Sequence, residues 1–167
     1  MENNIVVNME NLTNEEREQL LKLVKKSNKT TKKRWRAKSH ETYYYIGCDD
    51  HIYSTPEAYD QFDKKLYKLG NYFKTKEEAE FEVNKRLVYQ ELKDYALEHN
   101  ECELDWADTY QAKWLIYYET GYPCLKYSDV YTICDIGQIY FSSEEIARKA
   151  AKTVGEDRIE KYLFGVE

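Results

Sequence analysis

Glycine and proline are scarce in this chain, 6 and 2 among 167 residues. So few turn-formers argue against a loop-rich or disordered chain, and 42% hydrophobic residues suffice to build a core. No apolar run approaches the ~20 residues that span a bilayer. The start, Met1-Glu2-Asn3-Asn4-Ile5-Val6-Val7, lacks the basic opening and long apolar stretch of a secretory signal. The expectation is a soluble cytoplasmic protein with no membrane contact. Cysteine offers no framework either: Cys48, Cys102, Cys124 and Cys134 are scattered and form no CxxC, so they read as buried or partly buried thiols in a reducing compartment. There is no GxSxG, no HExxH and no glycine-rich phosphate loop.

What the chain does have is an uneven charge. The total is −6, but residues 1–38 hold 10 Lys+Arg against 5 Asp+Glu, a net of +5, leaving −11 on the rest. A basic N-terminal arm therefore precedes an acidic body; the arm should favour nucleic acid and the body basic surfaces. Tyrosine is abundant, with 17 copies. Its ring suits half-buried strands, and it is enriched at interfaces because it offers large contact area at low entropic cost.

Local signals divide the chain. Thr13-Asn14-Glu15-Glu16 is a capping box opening a helix over about 14–26 with a short stripe of Leu20, Leu21, Leu23 and Val24. That length is marginal in isolation, so the helix should pack on the body or on a second copy, making a homodimer. A basic linker leads to Trp35. Tyr43–Ile46 and His51–Tyr53 read as paired strands, and Thr55-Pro56-Glu57 as a helix start with Pro at its first position or else an ordered loop. Thr75-Lys76-Glu77-Glu78 caps the longest helix, Lys76 to about Glu98, roughly 35 Å long. Residues 100–112 are acidic and irregular. A strand follows at 114–118, another lies within 125–133, and 137–141 leads into a third. Ser142-Ser143-Glu144-Glu145 caps a last helix that buries Ile146, Ala147, Ala150, Ala151 and Val154, and a final turn or two places Ile159, Leu163 and Phe164 on the body.

The halves resemble one another. Gly70-Asn71-Tyr72-Phe73-Lys74-Thr75-Lys76-Glu77-Glu78-Ala79 parallels Gly137 to Ala147 with one extra residue at the turn. One such unit cannot bury its own apolar face. The expected fold is α+β: two strand-strand-strand-helix units packed together, an internal duplication or a recurrent way of leaving a strand, preceded by an N-terminal helix and basic linker. The expected divisions are 1–38, 39–100 and 101–167.

Trp35, Glu41–Ile46, Gly70–Glu80 and the ending Ile139–Ala147 with Tyr162-Leu163-Phe164 resemble a group of hypothetical proteins from phages and prophages of Gram-positive bacteria. The likeness touches most of the chain from residue 35 on, and its motifs are structural. The commoner Trp-x-Pro form is replaced by Trp35-Arg36-Ala37. The resemblance implies a phage accessory product. By analogy with small acidic phage proteins, anti-CRISPR proteins among them, it implies inhibition or modulation of a host defence nuclease.

Five features bear on chemistry. Cys48-Asp49-Asp50-His51 could supply two metal ligands, and Cys102 or Cys124 could come near in the fold; a zinc site needs four ligands, commonly in two close pairs, and no second pair appears, so the expectation is a turn and no metal or cofactor. His40, His51 and His99 lie in no nucleophile motif, and Glu77-Glu78 and Glu144-Glu145 suit helix dipoles better than acid–base work. The chain is therefore expected to be no enzyme. The acidic run Glu98, Glu101, Glu103, Asp105 and Asp108, beside Trp106 and Tyr110, is the candidate surface for a host protein, above all a nucleic-acid-processing effector whose basic cleft it would occupy. The alternative is nucleic-acid binding through Lys29, Lys32, Lys33, Arg34, Trp35, Arg36 and Lys38, cations for phosphates and an indole for stacking.

Overall fold

Each half turns on one device: a strand pair whose first strand takes up a third short segment before the chain enters a capped helix. The computed structural model describes residues 12–27 and 34–166, in two units, one up to Trp35 and one from Arg36 onward.

The first unit contains α1 (Asn14–Ser27). Its capping box forms as the sequence predicts. The Glu16 amide donates to Thr13 Oγ1 at 3.3 Å, and the Thr13 amide and hydroxyl both donate to Glu16 Oε2 at 2.9 Å. These bonds hold the Glu16 carboxyl below its ordinary range. Leu21 and Leu23 are exposed on this helix.

In the second unit β1 (Thr42–Ile46) pairs antiparallel with β2 (Ile52–Pro56), and Tyr44 forms a bridge with Phe73 on the other side of β1. Pro56 does not open a helix; it closes edge strand β2 opposite Thr42, where a missing N–H is tolerated. The helix starts five residues later. Asp60 and Asp63 make a reciprocal capping box, and α2 (Gln61–Leu69) ends at Gly70, whose φ of 80° is the left-handed conformation that glycine adopts without strain. Helix α3 (Lys76–His99) follows, with Thr75 accepting from the Glu78 amide.

The second half repeats the pattern. Strand β3 (Lys113–Glu119) is central, between β4 (Cys124–Val130) and β5 (Tyr140–Phe141), all antiparallel. Helix α4 (Glu144–Val154) is capped by Ser143. Then come α5 (Glu156–Ile159) and a π-helical turn (Glu160–Phe164).

The correspondence is residue by residue. Phe73 pairs with Tyr44 and Phe141 with Trp114. Two residues further along each central strand, the Asn71 side chain donates to the Ile46 carbonyl at 2.8 Å, and the longer Gln138 side chain donates to the Ile116 carbonyl at 3.4 Å. Each amide follows a left-handed glycine, Gly70 or Gly137. Each N-cap is followed four residues on by a fully buried alanine, Ala79 or Ala147. The same physical solution is thus built twice.

The two halves also share a core, so 39–100 and 101–167 are not separate bodies. Val88, Leu92 and Ala96 of α3 pack with Ile116, Phe141, Ile146, Ala147, Ala150, Ala151, Val154 and Ile159. Arg158 clamps α5 to α3 through a bidentate pair with Glu91, 2.7 and 2.9 Å, which lowers the Glu91 carboxyl. The body begins at Arg36, two residues before the expected end of the arm.

The first half keeps a different interior. Fully buried Glu57 accepts two bonds from Arg36, 3.0 and 3.1 Å, and one from the Tyr72 hydroxyl at 2.6 Å. Buried Asp63 accepts from the Tyr43 hydroxyl at 2.6 Å and from the amides of Ala58 and Asp60. Tyr43 and Tyr72 stack with centroids 3.9 Å apart, and the Arg36 guanidinium lies over Tyr59 and Tyr67. Burial, and then the bonds to Asp63 and Glu57, push both tyrosine hydroxyls well above their ordinary range. Burial disfavours the Asp63 carboxylate, but its hydrogen bonds from Tyr43 and the backbone outweigh that and hold the carboxyl low.

Candidate partner-binding surface

The acidic segment after α3 has no regular structure, yet it is pinned at both ends. The Asn100 side chain donates to the Tyr140 carbonyl at 3.3 Å and accepts from the Ser142 amide at 2.9 Å, while the Glu101 amide donates to Ser142 Oγ at 3.1 Å. At the far end Gln111 reaches back across the segment. Its Oε1 accepts from the Asp105 amide at 2.7 Å and its Nε2 donates to the Glu103 carbonyl at 2.9 Å. Two tight Asx turns follow, with Asp105 Oδ1 taking the Ala107 amide and Asp108 Oδ1 the Tyr110 amide, both at 2.8 Å.

Lys113 fixes the centre. It is fully buried, and its ammonium donates to the carbonyls of Asp108 and Gln111, each at 2.9 Å. The Trp106 ring lies 5.2 Å from it, and that ring makes an edge contact with Tyr140 at 4.9 Å. A buried ammonium is costly unless its protons are bonded, so this side chain holds the loop in one shape. It does so through backbone carbonyls and forms no ion pair with the loop's carboxylates.

The sequence-predicted acidic residues therefore stand on an ordered scaffold. Glu98, Glu101, Glu103, Asp105 and Asp108 are all exposed, and none forms an ion pair with a described residue. Tyr110 is 91% exposed beside them, whereas Trp106 faces inward and is 38% exposed. Trp106 is thus a support for the loop more than an anchor for a partner. Lys113, the residue that organises the surface, was missed in the sequence. A lone lysine opening an apolar strand, two residues after a glutamine, was its only signal.

The basic arm fares differently. Lys29, Lys32 and Lys33 lie outside the described residues. Arg34 is exposed and Trp35 half-buried. Arg36 is not an arm cation at all, because it is held by Glu57 and two tyrosine rings inside the body. Lys38 is exposed, and its amide donates to Glu41 at 2.7 Å.

The cysteine expectation needs correction. Cys48, Cys102 and Cys134 are exposed and Cys124 is half-buried. At the Cys48 turn the His51 ring bonds the Asp49 carbonyl at 2.9 Å, and Tyr53 donates to the Asp49 carboxylate at 2.7 Å, holding it low. Among the described residues no group of three or more His, Cys, Asp or Glu is placed to hold a metal ion, and no helix is long and apolar enough to cross a membrane. No protein-family model matches the chain, and neither curated proteins nor solved structures include one similar enough to bear on its function.

Proposed function

We propose that this protein is a non-enzymatic binding protein whose acidic loop, Glu98–Tyr110, engages a basic surface on another protein. The observation that carries this reading is the ordered, unpaired set of carboxylates around exposed Tyr110. Fixed charges pay no ordering entropy on association, and unpaired ones project their field into solvent and steer a basic partner. Tyr110 supplies a rigid amphipathic contact at the centre. The spacing of like charges along a rigid loop suits a groove that evolved to hold phosphates. Given the resemblance to phage accessory proteins, a nucleic-acid-processing effector of a bacterial host, a CRISPR effector or another defence nuclease, is the partner class to test first, with inhibition or modulation as the outcome of binding.

The test is comparative. Wild-type protein and the triple variant Glu101→Lys, Glu103→Lys, Asp105→Lys are used as bait in the bacterial host, and the association rate of any recovered protein is measured at two salt concentrations. The reading expects loss of capture by the variant and a wild-type association rate that falls steeply with salt. Equal capture and equal rates would refute it. A salt-dependent gel shift of duplex or single-stranded DNA by the wild type, abolished at Arg34 and Lys38, would favour the basic arm instead.

A further inference from the structure

A cavity of about 270 Å³ opens between α3, the Gly137–Phe141 turn and the C-terminal helical turns. The acidic loop has no part in it. Its floor is Leu92, Ile116, Phe141 and Ile159, all buried core residues. Its walls include Leu163 and Phe164, brought there by the π-helical turn, an irregularity that proteins favour at functional sites.

The stripe of α3 along this cavity grades from apolar to charged. Leu92 is buried, Tyr89 half-buried and Lys85 exposed, at positions i+7, i+4 and i of one helix face. Lys85 pairs with no carboxylate among the described residues; neighbouring Glu82 is taken by Arg86 at 2.9 Å. The Tyr89 hydroxyl has no hydrogen-bond partner among the described residues either. An apolar hole thus ends in an unpaired cation and an unpaired hydroxyl, roughly 10 Å along the helix from its floor.

We infer that this cavity binds a small anionic amphiphile: an apolar tail against Leu92, Ile116 and Phe141, and a carboxylate or similar head at Lys85 and Tyr89. Size sets the class. The roughly 10 Å from the floor to Lys85 is about the extended length of a medium-chain carboxylate of about eight to ten carbons. The cavity lies just under the ~300 Å³ at which drug-sized pockets begin. It is too small for a helix of a partner protein, and a predominantly apolar lining with a few convergent polar groups is what small-ligand sites share. The lysine stem can lie along the apolar wall while its ammonium stays wet and meets the head group.

The probes are decanoate, decanol and decyltrimethylammonium, titrated below their micelle concentrations into full-length protein with labelled Ile and Leu methyl groups. Decanoate should give saturable shifts confined to Leu92, Ile116, Ile139, Ile159 and Leu163, and should bind about fivefold more tightly than decanol, the most an exposed ion pair usually adds. Lys85→Glu, an exposed substitution that leaves the core intact, should remove that preference and favour the cationic amphiphile. Leu163→Trp should block all three. Absence of saturable shifts for decanoate overturns the site. Equal decanoate and decanol affinity, or an unchanged preference in the Lys85→Glu protein, overturns its assignment to anions. Because none of these probes touches residues 98–110, failure here leaves the acidic-loop reading standing, and the reverse also holds.

Discussion

The two halves of the body share one topology and fill it with opposite chemistry. Behind β3 the interior is apolar, with Phe141, Ile146, three alanines of α4 and Ile159 packed on α3. Beside β1 the interior is a hydrogen-bonded set of tyrosines, two carboxylates and a guanidinium. Even equivalent strand positions differ: Tyr43 and Lys113 each precede the bridge residue of the central strand by one, and both are fully buried, one bonding a carboxylate and the other two carbonyls. Strand order, turn and cap therefore specify the architecture, and the choice between oily and polar filling is free so long as every buried polar group is bonded. No buried side-chain polar atom among the described residues lacks a partner.

The largest expected effect separates the equivalent phenylalanines. Phe141 is fully buried and Phe73 only half-buried. Phe141→Ala should cost about 4 kcal/mol in a urea titration, and Phe73→Ala less than half of that. Equal losses would show that the two sites are filled to the same degree. Next comes Glu57→Ala, which leaves Arg36 and Tyr72 without their acceptor. About 3 kcal/mol is expected, since removing one partner of a buried pair strands the other. A loss under 1 kcal/mol would mean that water replaces the carboxylate and that the polar half is only nominally buried.

The pH dependence should also divide the halves. The Asp63 carboxyl is held low in the fold, so its stabilisation is complete above its ordinary pKa near 4 and fades as pH falls below that. The Tyr43 and Tyr72 hydroxyls are held high, so theirs is complete below pH ~10 and fades as pH rises beyond it. Amide exchange should report loosening around β1 at both extremes. Asp63→Asn should flatten the acid limb and also shrink the Tyr43 share of the alkaline one, leaving what burial and the Tyr72–Glu57 bond supply. The smallest effect is expected at Lys149→Ala, which breaks an exposed pair with Glu145 and should change stability by under 0.5 kcal/mol.

What could be read from the sequence was what lies within one turn of the chain. The box at Thr13, the cap at Ser143 and the alanine face of α4 are visible because their partners sit three or four residues away. At Thr75 the reading was half right. Glu78 gives its amide to Thr75, but its carboxylate takes the Lys74 amide at 2.8 Å, one residue before the cap. The Asp60–Asp63 box is just as local, but the expected helix start at Pro56 passes over it. Arg36 was misplaced because its carboxylate lies 21 residues onward. In the acidic loop the carboxylates were plain from composition. Lys113, whose bonds depend on the loop doubling back, was not, and the cavity at Lys85 needs three elements brought together from across 80 residues.

Helix α3 packs on β1 and β2 of the first half and on α4 and the C-terminal helical turn of the second, and this bears on how the molecule can be dismantled. A chain ended after Asn100 would keep every cap and strand of its first half and still expose Val88, Leu92 and Ala96 to water with nothing to cover them. A chain begun at Glu101 would lack the helix on which α4 rests. For a gene that carries two renderings of one motif, the smallest piece that can be inherited, borrowed or engineered as a working whole is the complete stretch from Arg36 to the final helical turn.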